Sequence, residues 1–104
     1  MNENGLAVRG RLREMDLNLL VVLDALLTHG GVSATARELG RTQSAVSHAL
    51  TRLRDQLGDP LLVRQGRAML PTSRALDLWP LLRTQLLALD RLTRAPETFE
   101  PASA

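Results

Sequence analysis

The run Thr42-Gln43-Ser44 is followed one helical turn later by Ser47-His48 and a further turn on by Thr51-Arg52. These side chains are an amide, several hydroxyls, an imidazole and a guanidinium, and no carboxylate interrupts them before Asp55. Such a set can meet the edges of bases. Gln pairs bidentately with adenine, and Ser donates to or accepts from several edges. Arg52, further along, suits a phosphate. A solvated polar face is the competing reading, but such faces usually mix acids with bases. His48 reads as a groove-facing donor rather than a pH sensor.

A helix must carry this face, and the surrounding residues supply one. Thr42 is a good N-cap for a helix over 43–57, and Val46, Leu50, Leu53 and Leu57 recur at helical spacing to give it a buried row. Ala45 and Ala49 are expected to widen that row where another helix comes close. Ser33 is expected to cap a shorter helix ending near Leu39, with Gly40 as a left-handed C-cap. A small residue at 36, Gly at 40 and Val at 46 give two steeply crossing helices their contact, their sharp turn and their anchor. The free N–H groups at the two helix starts, near Ser33 and Thr42, can hold phosphates.

Upstream, Asp16 caps a helix over 17–28 that has a wide apolar face and stops at Gly30-Gly31. Downstream, residues 61–64 and 67–70 are two β-prone runs around Gln65-Gly66, bracketed by Pro60 and Pro71; they predict a hairpin with Arg64 and Arg67 flanking its tip. Thr72 or Ser73 begins a last helix running to about Thr93. Ala75, Trp79, Leu82, Leu86 and Leu89 repeat at 4-3-4-3 spacing in it, a coiled-coil-type seam expected to be exposed in a monomer, with Leu78 beside it. Pro80 lies inside this helix and predicts a kink or an open turn. Residues 1–15 lack an apolar period and read as a flexible arm. The spacing Arg9-x-Arg11-x-Arg13 suggests a minor-groove contact only as the lesser reading.

The totals narrow the classes. The 104 residues suit one domain, and with no cysteine there is neither a disulfide framework nor a thiolate metal site. Two isolated histidines do not make a zinc site, so no metal and no cofactor is expected. The longest apolar run, residues 19–23, is too short to span a bilayer, and no signal-peptide core is present. The chain therefore reads as cytoplasmic, with no membrane and no small-molecule ligand. All thirteen basic residues are Arg, so a net charge of only +2 drives the isoelectric point to about 10.9. Placement matters more: residues 41–74 hold six Arg against two acids, which favours an anionic partner.

Together, residues 16–20 (Asp-Leu-Asn-Leu-Leu), 42–47 (Thr-Gln-Ser-Ala-Val-Ser) and 58–64 (Gly-Asp-Pro-Leu-Leu-Val-Arg) with Pro71-Thr72 resemble the N-terminal domain of LysR-type transcriptional regulators. The resemblance covers about residues 15–100. It implies a mainly α fold: a winged helix-turn-helix over 16–72, of three helices and a β-hairpin wing, then a long dimerising linker helix over 73–95. Residues 96–104 would begin a hinge, as Phe99-Glu100-Pro101-Ala102 resembles one, toward an effector domain that this chain lacks. The chain thus reads as a domain cut from a longer regulator, or a natural short form, without inducer sensing. The resemblance further implies binding, as a homodimer, to an interrupted palindrome in double-stranded promoter DNA. It places base contacts on Gln43, Ser44, Ser47 and His48, and backbone contacts on Ser33, Thr42, Thr51, Arg52, Arg64 and Arg67. Dimerisation falls on Ala75, Leu78, Trp79, Leu82, Leu86 and Leu89. Family members usually carry Gln-Pro where this chain has Gln43-Ser44, so its sequence preference is expected to differ.

A module that captures other subunits through the seam without reading DNA is the second reading. It would be insensitive to Gln43→Ala and Ser47→Ala but abolished by Leu82→Glu. An enzyme finds no support: no glycine-rich phosphate loop, no Ser-His-acid set and no metal cluster stand in the sequence.

Overall fold

Side-chain caps decide where most of the helices begin. A computed structural model describes residues 4–96, in the order α1 (Gly5–Arg13), α2 (Leu17–His29), α3 (Val32–Leu39), α4 (Gln43–Leu57), β1 (Leu62–Gln65), β2 (Ala68–Pro71) and α5 (Ser73–Thr93). Asp16 accepts from the N–H of Asn18 at 2.9 Å, Thr42 from Ala45 at 3.0 Å and Thr72 from Ala75 at 3.1 Å, each at its expected helix start. The expected cap at Ser33 is not formed. Gly31 precedes α3 as an extended residue, and Ser33 is already inside the first turn. That turn is held from within instead, by the buried Thr35 hydroxyl donating to the Gly31 carbonyl at 2.8 Å. Gly40 (φ 64°) and Gly58 (φ 64°) end α3 and α4 in the left-handed conformation that their Cβ-free backbone permits.

The expected flexible arm is helical over Gly5–Arg13. Asn4 accepts from the N–H of Ala7 at 2.8 Å, so a capped start outweighs the two glycines and the missing apolar period. None of its residues is buried. Of the expected hinge at 96–104, all but Pro96 lies outside the described residues.

β1 and β2 pair antiparallel with Val63 opposite Leu70 and Gln65 opposite Ala68. The two-residue turn is therefore Gly66-Arg67, one position later than expected, because Gly66 (φ 64°) takes the first rather than the second central place. Arg67 sits in the tip and Arg64 on the strand.

The core gathers Leu19, Val22, Leu23, Leu26 and Leu27 of α2, Ala36 of α3, and Val46, Ala49, Leu50 and Leu53 of α4. Ala49 is buried where the helices approach, but Ala45 is exposed, contrary to expectation. The seam on α5 departs further from expectation. Ala75 and Leu82 are buried in the chain's own core, and Leu78, Trp79 and Leu86 pack against it; Leu89 alone of the set is exposed, at 38%. A 4-3 repeat shows that a helix buries a stripe but not what covers it. Here the cover is α2. Leu82→Glu would thus bury an unpaired charge and test folding rather than capture. The large apolar side chains that α5 does expose are Leu76, Leu81, Leu87, Leu89 and Leu92. The helix runs through Pro80, and the Thr84 hydroxyl donates to the Pro80 carbonyl at 3.0 Å.

The turn from α4 into the wing is held by charge. Leu61 is fully buried and adopts a positive φ of 65°, a conformation that L side chains rarely take. Its N–H donates to Asp59 Oδ2 at 2.8 Å, and the Thr72 hydroxyl donates to the same oxygen at 2.6 Å. Arg54 grips the loop from α4, with Nε donating to the Pro60 carbonyl at 2.8 Å and an Nη to the Leu62 carbonyl at 2.7 Å. The bond from Thr72, then that from Leu61, with Arg74 nearby, hold the Asp59 carboxyl below the usual carboxylate range, partly opposed by desolvation. The lowered value means that this stability is present above the unfolded carboxylate pKa of about 3.9 and is lost as pH falls through the lower folded value. Thermal melts followed by circular dichroism should show an acid-limb slope below about pH 4 that is shallower in Asp59→Asn, whose amide does not titrate.

Candidate nucleic-acid interface

One face of the N-terminal half of α4 is turned away from the core. Val46 and Leu50 anchor it inward, so Gln43, Ser44, Ser47, His48, Thr51 and Arg52 are all exposed, as their helical spacing requires. From 43 to 51 this face runs about 12 Å along the helix at 1.5 Å per residue. The major groove it would enter is also about 12 Å wide. Thr51 is partly engaged, its hydroxyl donating back to the Ser47 carbonyl at 3.2 Å. Thr42 accepts the capping bond and keeps its own proton as a donor.

Beside this face lies an open cleft of about 480 Å³. Its floor and one wall come from Gly30, Gly31 and the start of α3; Gln43 and Ser47 of α4 and Arg64, Arg67 and Met69 of the wing complete it. The expected residues Ser33, Gln43, Ser47, Arg64 and Arg67 are thus brought together. Ser44, His48, Thr51 and Arg52 share the face of α4 without lining the cleft. The six expected dimerisation residues lie on α5 and are not part of it.

Arg37 also lines the cleft, and sequence reasoning missed it. The basic stretch was counted from residue 41, which left Arg37 outside. The usable signal was its place four residues after Ser33, on the same face of α3. Conversely, Arg54 was counted among the residues that attract an anion, but its guanidinium is committed to the wing turn. Arg37, Arg64 and Arg67 therefore face one concavity whose lining contains no Asp or Glu. Glu38, the acid next to Arg37, is engaged elsewhere: its carboxylate meets Nε2 of His29 at 2.5 Å, joining α3 to the end of α2. Three guanidiniums and no carboxylate make the cleft a site of positive potential, complementary to a phosphate strand.

α1 lies away from this region. Arg11, Glu14 and Met15 border a depression with Gln56 and Leu57, at the end of α4 remote from Gln43. The 15 residues of α4 put those two ends about 20 Å apart.

Two contacting helices joined by a sharp turn at Gly40, an exposed acid-free face at the start of the second and a basic hairpin beside it define a winged helix-turn-helix DNA-binding domain. The chain's likenesses agree. Residues 17–76 match the family of bacterial regulatory helix-turn-helix proteins of the LysR type, so the chain belongs to the LysR family. It is 46% identical over 93 residues to the transcriptional activator NahR of Pseudomonas putida, covering 89% of this chain and 31% of NahR. It is 42% identical over 94 residues to nodulation protein D 2 of Sinorhizobium fredii, covering 90% of this chain and 30% of that protein. The chain thus spans about three tenths of the length of these relatives. Among solved structures, a probable transcriptional regulator from Pseudomonas aeruginosa is similar, with a TM-score of 0.76 and 45% identity, over 89% of this chain and 31% of that one. The DNA-binding domain of CbnR, solved in complex with DNA, is similar with a TM-score of 0.68 and 25% identity, over 74% of this chain and 88% of that one.

The two helix starts of the helix-turn-helix should respond differently to loss of a hydroxyl. Thr42→Ala removes a formed cap and should cost about 1 kcal/mol of stability. Ser33→Ala removes no cap and should leave urea unfolding unchanged, while still weakening DNA binding if its hydroxyl meets a phosphate. Equal destabilisation by both would contradict this assignment.

Proposed function

We propose that this chain reads promoter DNA as a two-fold symmetrical dimer in the cytoplasm, each copy laying the first two turns of α4 into a major groove. Gln43, Ser44, Ser47 and His48 meet base edges. Thr42, Thr51 and Arg52 meet the flanking phosphates. Ser33 and Arg37 on one side, and Arg64 and Arg67 on the other, close on a neighbouring backbone strand. The observation that carries this reading is the acid-free cleft that sets three Arg beside Gln43 and Ser47. The DNA complex of the similar CbnR domain supports it.

The second copy covers the surface that α2 and α5 leave open. Leu17 and Val21 of α2 lie with Leu86 and Leu89 of α5 along one groove, and Leu17, Val21 and Leu89 are exposed apolar side chains. Pairing α5 with its mate there removes this surface from water and fixes two recognition helices at one separation.

Selection of bound duplexes from a random pool should return an interrupted palindrome. Gln43→Ala should then cost about 1–3 kcal/mol at single base positions. Arg37→Ala and Arg64→Ala should instead weaken specific and scrambled duplexes alike, each lowering the salt slope by about one. Equal binding of specific and scrambled duplexes by the unmodified chain across a salt titration would remove the sequence-reading claim.

A further inference from the structure

The contact between α2 and α5 joins many apolar side chains and, at one point, a carboxylate. There the indole N–H of Trp79 donates to Asp24 Oδ1 at 2.8 Å, and Nε of Arg83 lies 3.9 Å from the same oxygen. The Asp24 side chain is only 22% exposed, so its bond to Trp79 is shielded from competing water. The two donors stand one helical turn apart, and Pro80 lies between them. Proline has no N–H to give to the carbonyl four residues back, so α5 loses one rung of its hydrogen-bond ladder there and bends most readily at that point. The carboxylate of Asp24 therefore holds the helix on both sides of its softest joint.

The geometry points to Asp24 and Trp79 as positioning residues that set the direction of α5 relative to the recognition helix, and through it the half-site spacing that a dimer accepts. This rests on the two-fold reading given above. From Pro80 to Thr93 the helix extends about 20 Å. A tilt of about 10° at the joint moves its far end by about 3.5 Å, close to the 3.4 Å rise of one base pair. An error that small in α5 is thus a whole step in spacing, so a domain that discriminates spacers has to fix this angle. Neither Asp24 nor Trp79 lines the cleft proposed to meet DNA, so a direct contact with DNA is not how they act.

The test compares duplexes that carry a single half-site with duplexes whose two half-sites are separated by spacers varied one base pair at a time, measured on the 104-residue chain with labelled DNA. Trp79→Phe keeps most of the ring packing and loses the donor. Asp24→Leu keeps the size and loses the acceptor. Asp24→Asn keeps an oxygen that accepts from Trp79. The chain should prefer one spacer. Trp79→Phe and Asp24→Leu should bind the single half-site as the unmodified chain does, yet lose about tenfold in discrimination between neighbouring spacers, the loss expected for one hydrogen bond to a charged group. Asp24→Asn should retain the preference. If Trp79→Phe, shown to be folded by circular dichroism and dimeric by sedimentation, keeps the original preference, the proposal is wrong. It is equally wrong if that variant weakens every duplex by one factor, since the bond would then serve stability alone. An unmodified chain that sediments as a monomer and binds paired and single sites equally would overturn the dimer reading, and this inference with it.

Discussion

One oxygen of Asp59 joins three elements. It accepts from the Leu61 backbone at the entry to the wing and from the Thr72 hydroxyl, which in turn caps α5. Asp59 itself follows Gly58, the left-handed residue that ends the recognition helix. A left-handed Leu costs about 1–2 kcal/mol. Complete burial of its side chain returns a similar or larger amount, about 1.5–3 kcal/mol. Arg54 adds two bonds from α4 to the carbonyls on either side of Leu61. The angle of the wing against α4 and the starting point of α5 are therefore consequences of the same short turn. Arg64 and Arg67 can face Arg37 across a cleft only because this junction holds the hairpin over the start of α3.

The second shared support is α2. One side of it closes the core with α3 and α4, through Val22, Leu23, Leu26 and their neighbours, and it also receives α5 through Asp24. The end of α2 reaches α3 through His29 and Glu38. α2 packs against α3, α4 and α5 while contributing no residue to the polar face of α4. Its high apolar content is what a helix covered on two sides needs.

The helices and their caps were largely legible because each depends on a few neighbouring residues. Asp16, Thr42 and Thr72 cap what they were expected to cap, and the row Val46-Leu50-Leu53 faces inward. The helix over Gly5–Arg13 was not legible because it buries nothing and so leaves no apolar period, and its one local signal is the Asn4 cap. The hairpin was legible to within one residue; the placement of Gly66 within a two-residue turn depends on strand twist, which the sequence does not carry. On the site, the polar face of α4 could be seen from periodicity alone. For Arg37 only its place four residues after Ser33 gave a signal; its meeting with Arg64 and Arg67 did not show, because these come from a wing some thirty positions away. Arg54 misled for the opposite reason. A guanidinium is equally suited to a phosphate and to two backbone carbonyls, and only the fold decides which it meets.

The seam on α5 shows why dimerisation is harder to read than recognition. A recognition face is defined by chemistry that a core does not tolerate: amides, hydroxyls and guanidiniums without partners. A dimer face is made of the same leucines as a core, at the same spacing. Ala75 and Leu82 go to the chain's own core because it is always adjacent, whereas a second copy must first be bound at a cost in translational freedom. What α5 leaves outside the core is a margin, with Leu89 beside Leu17 and Val21. The inner side of α5 thus stabilises the domain while its outer edge stays exposed. On the inner side, a change that keeps the packing, such as Trp79→Phe, is separable from one that breaks the core, such as Leu82→Glu, and a change on the outer edge disturbs neither.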